Sequence, residues 1–185
     1  LESQSYITKV DYFRGDTETN VDLDDFRKRV DYNKVNLCEW ILKCFKVGFE
    51  NAANRAWIKC GQRRIAKTVF ARSLRYRNDD EDFREIYNQY NQDAVFVGLK
   101  DEHEDFEKKI GPISYRSVRD FLEMAEIING ADLMIGNQSS PMALAIALKK
   151  PFIQEVCHFC PNCIFPRLNS RYLTGQKGDI VGLIS

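Results

Sequence analysis

Several absences narrow the possibilities for this chain. No apolar run approaches the roughly 18 residues that a helix needs to cross a bilayer. The stretch from Leu1 also lacks the basic start, apolar middle and small-residue end of a signal peptide. Net charge is missing too. Twenty-seven basic residues balance 27 acidic ones, so no overall field draws the chain to nucleic acid or to an anionic membrane. Partners must be selected by a local site, no membrane span is expected, and the cytoplasm is the expected compartment. Because the chain opens at Leu1 rather than at a methionine, it is expected to be a processed product or a piece of something longer.

What is present describes an ordinary globule. The 185 residues are 44% hydrophobic and 29% charged, enough for one good core and a small second subdomain. Six cysteines divide into two groups. Cys38, Cys44 and Cys60 are scattered in apolar or helical surroundings and read as buried free thiols. Cys157, Cys160 and Cys163 form two overlapping C-x-x-C spacings around His158, a spacing that lets two thiolates grip a tetrahedral zinc. A second pair across a knuckle is lacking, so loop packing is the default for this cluster. Zinc and a redox pair are the chemical alternatives.

The chain changes character near residue 60. Residues 1–60 read as a mainly helical or linker segment: a short strand over Tyr6–Tyr12, a helix starting in Asp22–Val30, an apolar helical stripe over Val35–Phe45 and a helical turn within Glu50–Trp57. Residues 61–185 alternate strand and helix. Strands are predicted at Ile65–Phe70, Ala94–Leu99, Ile113–Tyr115, Asp132–Ile135 and Pro151–Val156. Helices are predicted at Asp80–Tyr90, Glu102–Lys109, Ser117–Ile128 and Met142–Leu148. Continuously apolar strands such as Ala-Val-Phe-Val-Gly-Leu fit a parallel sheet covered by helices on both faces, a Rossmann-like α/β fold. Such sheets bind ligands beyond the carboxyl ends of their strands.

Three segments fall at those ends. Ala71–Arg75 supplies the guanidinium groups of Arg72 and Arg75 and the hydroxyl of Ser73, suited to a diphosphate. Lys100–Glu102 offers a carboxylate, Glu102, that can accept from ribose hydroxyls. Gly136–Ser140, ahead of Pro141 and Met142, describes a strand feeding a helix whose first N–H groups lack partners and favour an anion. Each also has a plainer reading: a solvated basic flank, a helix cap and a turn.

The run Ser139-Ser140-Pro141-Met142-Ala143-Leu144-Ala145-Ile146-Ala147-Leu148-Lys149-Lys150-Pro151 resembles the small-Gly-Pro-Met-His-Leu-Ala-Ala-Ala-Leu-Gly-x-Pro signature of glycosyltransferase family 9, the heptosyltransferase group with GT-B architecture. The likeness spans about residues 62–168 and is dense in that one segment. It implies a nucleotide-sugar-binding domain, the donor half of a two-domain transferase acting on an acceptor that the sequence does not identify. Diphosphate contacts would fall at Arg72, Ser73 and Arg75 and at Asn137, Gln138, Ser139, Ser140 and Met142. Glu102, or less well Asp101, would hold the ribose. The family requires no metal or other cofactor. The chain departs from the pattern where Asn137 replaces Asp, Ser140 replaces Gly and Ala143 replaces His. Residues 1–60 are too short to form the family's first domain, so the chain alone is expected to be incomplete as a catalyst. Two other functions compete. One is a noncatalytic nucleotide-binding module. The other is a zinc or nucleic-acid protein built on Cys157–Cys163 and on the Arg63–Arg77 run with Tyr76 interleaved, which the neutral total charge disfavours.

Overall fold

The computed structural model describes residues 4–12, 15, 21–28, 36–48, 55–78, 83–160, 163–165, 167 and 169–175. Its centre is Thr68–Ala71 (β1), four buried residues whose neighbours on both sides are parallel strands: Ala94–Val97 (β2) on one and Leu133–Asn137 (β4) on the other. Ser114–Arg116 (β3) extends the β2 edge. Phe152–Glu155 (β5) and Ser170–Leu173 (β6) extend the β4 edge. The order is β3-β2-β1-β4-β5-β6, with every pairing parallel. The fold is therefore Rossmann-like α/β, as the apolar strands predicted. A parallel neighbour can be reached only by crossing over the sheet, and helices make most of these crossings.

Period-two alternation sends each strand's side chains to two cores. Val69, Ala71, Val95, Val97, Met134 and Phe152 pack on one face with helices Phe121–Gly130 (α4) and Ser140–Ala147 (α5). Phe70, Phe96, Ile135 and Ile153 pack on the other with helices Phe83–Tyr90 (α2) and Lys100–Lys109 (α3). There Phe70, Phe83 and Phe106 form a ring cluster with centroids 5.6–6.4 Å apart. Each of these buried rings contributes about 1.5–3 kcal/mol relative to exposure. The β1–β4 seam is tight: a Cβ on Gly136 would stand 2.1 Å from the Ala71 carbonyl oxygen, so only glycine fits.

The N-terminal part lies over the α4–α5 face. Leu37–Cys44 (α1) is capped by Asn36, whose Oδ1 accepts from the Glu39 N–H at 3.1 Å while its Nδ2 donates to the Ile164 carbonyl at 2.5 Å. The Trp57 N–H donates to the Ala147 carbonyl at the end of α5, and the Trp57 ring meets Phe165 edge-on at 4.9 Å. Farther along, Arg63 N–H donates to Glu126 on α4.

Two expectations need correction, and one strand was not foreseen. Residues 6–12 form no strand: the Gln4 amide pairs with the Lys59 backbone through two hydrogen bonds and the Tyr6 hydroxyl donates to Trp57, so side chains tether the segment without a ladder. The helix expected in Asp22–Val30 is a 3-10 helix at Leu23–Lys28, with residues 29–30 outside the described set. The strand β6 was not predicted, because Ser-Arg-Tyr-Leu at a sheet edge buries only Leu173 fully. Of the turn expected in Glu50–Trp57, residues 50–54 lie outside the described residues, and residues 80–82 of the predicted Asp80–Tyr90 helix do too.

Candidate functional site

Strand order reverses direction between β1 and β4, so the crossovers leave to opposite sides and a crevice opens beyond their carboxyl ends. The crevice is a cavity of about 460 Å³. The loop after β1 enters it through Ser73 and Arg75, the start of α3 through Lys100 and Glu102, and the end of β4 through Gln138, Ser139 and Ser140.

Partly buried hydrogen bonds fix the loop after β1. Asn137, fully buried at the end of β4, accepts from the Ser73 N–H at 2.9 Å and donates to the Ser73 and Arg75 carbonyls at 3.1 and 2.5 Å. Arg77 donates to the Ser73 carbonyl at 2.8 Å and pairs with Asp105 of α3 at 2.5 Å. Burial pushes the Asp105 carboxyl up, but hydrogen bonds from Lys109 and Arg77 outweigh it and hold the group below the ordinary carboxylate range. Tyr76 adopts a φ of +55°, a left-handed conformation costing a non-glycine residue about 1–3 kcal/mol, and the surrounding bonds sustain it. At this constrained tip Arg75 is exposed, with its guanidinium 5.5 Å from the Tyr76 ring centroid and no carboxylate partner among the described residues.

Arg72, expected beside Arg75 as a diphosphate ligand, does not line the cavity. Its guanidinium makes two 2.6 Å hydrogen bonds to the Glu155 carboxylate on β5, and Glu155 also accepts from the Asn78 N–H at 2.7 Å. The pair is buried, with Arg72 only 6% exposed and Glu155 fully enclosed. Asn137 spends its amide on the loop, and the Met142 side chain packs into the core, which leaves Met142 its backbone N–H toward the crevice. Gln138 lines the cavity, yet its amide bridges the Cys157 N–H at 2.7 Å and the Cys160 carbonyl at 2.6 Å.

The start of α5 is different. Ser139 is its N-cap in extended conformation, but its hydroxyl donates back to the Asn137 carbonyl at 3.2 Å and caps nothing. Pro141 carries no N–H, so Ser140 and Met142 supply the first amide donors, which have no acceptor inside the helix. In α4, by contrast, Asp120 accepts from the Glu123 N–H at 2.8 Å. Across the cavity, Glu102 reaches back with Oε2 to the Leu99 N–H at 2.9 Å, capping α3. Gly98 makes room for it at φ +148°, where a Cβ would meet that oxygen at 2.8 Å.

Sequence reasoning missed the outer wall. Tyr115, whose hydroxyl donates to the Gly98 carbonyl at 3.1 Å, joins Leu99, Val118 and Phe121 there, and Leu99 and Phe121 are about 60% exposed. Two large apolar residues exposed at helix starts were the available signal. Behind this wall Glu123 gathers Arg63, Arg116 and Arg119 at 2.7–3.1 Å. Hydrogen bonds from the Arg119 backbone and guanidinium lead in lowering its carboxyl to about 2.

The cysteine cluster does not assemble a metal site among the described residues. Cys157 is buried, Cys160 half-buried and Cys163 exposed, and residues 161–162 lie outside the described set.

The fold and crevice thus define a Rossmann-like domain with its pocket at the switch point. No protein-family profile matches the chain, and no curated protein matches it. Among solved structures it is similar to a glycosyl transferase family 9 protein from Veillonella parvula, at 16% identity and a TM-score of 0.41. The match covers 58% of this chain and 35% of that one, so the matched region spans about a third of that protein's length. None of the described helices is long and apolar enough to cross a membrane.

Proposed function

We propose that this domain binds the diphosphate of a nucleotide-sugar donor and serves as the donor half of a glycosyltransferase. The observation that carries the proposal is the meeting, on one cavity, of the exposed Arg75 guanidinium, which has no carboxylate partner among the described residues, and the uncapped start of α5. Two amide donors, the positive end of a helix dipole and a planar cation suit a pyrophosphate. Glu102 keeps Oε1 for ribose hydroxyls while Oε2 caps α3. The Leu99, Val118 and Phe121 wall offers an apolar surface to a flat base. Contacts that hold a diphosphate also stabilise it as it departs, so the same groups would lower the barrier to sugar transfer. Transfer itself needs an acceptor-binding portion, which we assign to a partner domain of a longer protein.

Calorimetry with a nucleoside diphosphate and the matching nucleoside tests the proposal. Arg75→Ala should weaken the diphosphate by about 1.5–3 kcal/mol, the range for a charge-assisted hydrogen bond, and leave the nucleoside unchanged. Equal losses for both ligands would contradict it.

A further inference from the structure

We propose that a second cavity receives the group carried on the diphosphate, and that this group is an N-acetylhexosamine whose acetamido N–H is read by Gln154; the inference rests on the donor-binding function above. The second cavity measures about 360 Å³ and shares Arg75, Gln138, Ser139 and Ser140 with the first. A pyrophosphate at the start of α5 would therefore have a chamber on each side, one for the nucleoside and one for the sugar.

The chemistry of this chamber is selective. Trp57, Met142, Ile146 and Phe165 supply apolar wall, and no Asp or Glu lines it among the described residues. A sugar whose buried hydroxyls found no partners there would bind poorly, because desolvated polar groups need compensating bonds. Apart from Arg75, Gln138, Ser139 and Ser140 at the edge shared with the first cavity, a polar side chain reaches the chamber from β5, where Gln154 and Glu155 follow Phe152 and Ile153. Glu155 faces Arg72 and is fully paired. Gln154, on the opposite face with Phe152, is 1% exposed and lines the chamber. Its Nε2 donates to the Cys163 carbonyl at 3.3 Å, while its buried Oε1 has no hydrogen-bond partner. Buried acceptors are almost always satisfied, so an unpaired carbonyl oxygen on a cavity-lining residue points to a ligand donor. An acetamido group matches both features: its N–H can donate to Oε1 and its methyl can pack on the apolar wall. A plain hexose hydroxyl supplies the donor without the methyl.

Calorimetry on the full chain tests this in two stages. Free adenosine, uridine and guanosine diphosphates first establish the base. The hexose and N-acetylhexosamine conjugates of that nucleotide are then compared. The N-acetylhexosamine conjugate should bind at least tenfold tighter than the hexose conjugate. Gln154→Met should bring the ratio to about one without changing the affinity for the free diphosphate. Ala143→Leu, at an exposed helix position on the chamber wall, should weaken both conjugates and spare the free diphosphate, and it provides the test if Gln154→Met fails to fold. If no diphosphate binds, the donor function itself fails and the sugar assignment with it. If the diphosphate binds, a wild-type ratio of one or below, a ratio that survives Gln154→Met, or conjugates unaffected by Ala143→Leu would overturn the sugar assignment alone.

Discussion

Arg72→Ala separates the structural arginine from the ligand-binding one. In the native protein the guanidinium is held by two 2.6 Å bonds to Glu155, a carboxylate with no solvent access. Truncation leaves that carboxylate with the Asn78 N–H as its remaining described donor. Breaking a buried pair on one side costs about 3–5 kcal/mol, because a charge stays desolvated without its partner. Against a total stability of about 5–15 kcal/mol, that loss is large. Urea unfolding should show it: with a slope of about 2 kcal/mol per molar, a 4 kcal/mol loss moves the midpoint by about 2 M. Arg72→Lys keeps the charge but not the paired geometry, so its loss should be smaller. Diphosphate affinity, measured under conditions where both variants are folded, should remain close to wild type. An unchanged urea midpoint together with a tenfold or greater loss of diphosphate binding would refute this account and make Arg72 a ligand.

Two further outcomes follow from buried carboxylate and amide groups. The Glu123 carboxyl sits near 2, below its ordinary 4.5, so its contribution is complete above about pH 4.5 and disappears as pH falls toward 2; acid titrations should show Glu123→Gln less stable than wild type at neutral pH, with the gap closing across that window. Asn137→Asp would turn a carboxylate oxygen toward the Ser73 and Arg75 carbonyls in place of the Nδ2 donor. The Arg75 carbonyl loses its Nδ2 donor and a carboxylate faces both oxygens, a loss of about 1–3 kcal/mol, and amide exchange at Ser73 should accelerate. Unchanged exchange would show that the clamp does not hold the loop.

The β1, β2 and β4 strands were legible because burial on two faces makes a strand largely apolar, a local property of the sequence. β6 was not, since this edge strand keeps Ser170 and Arg171 polar and is fixed by its pairing to β5. The site divides in the same way. A strand feeding a helix start could be read from Gly136–Pro141 alone, but not that the Ser139 hydroxyl turns back to Asn137 and leaves that start uncapped. Which of two arginines three positions apart turns inward could not, because the answer lies in Glu155, 83 residues beyond Arg72. Asn137 likewise reads as a ligand until its amide is found on a loop 64 residues away. Gln154 gave no sequence signal apart from a polar residue in an apolar strand, which Glu155 beside it equally displays.

A crystal structure with a bound nucleoside diphosphate tests the central claim most directly. Phosphate oxygens should lie within hydrogen-bond distance of the Ser140 and Met142 N–H groups and of the Arg75 guanidinium, with Arg72 still on Glu155. A nucleotide bound elsewhere, or one in this cavity with its phosphates turned away from the start of α5, would contradict it.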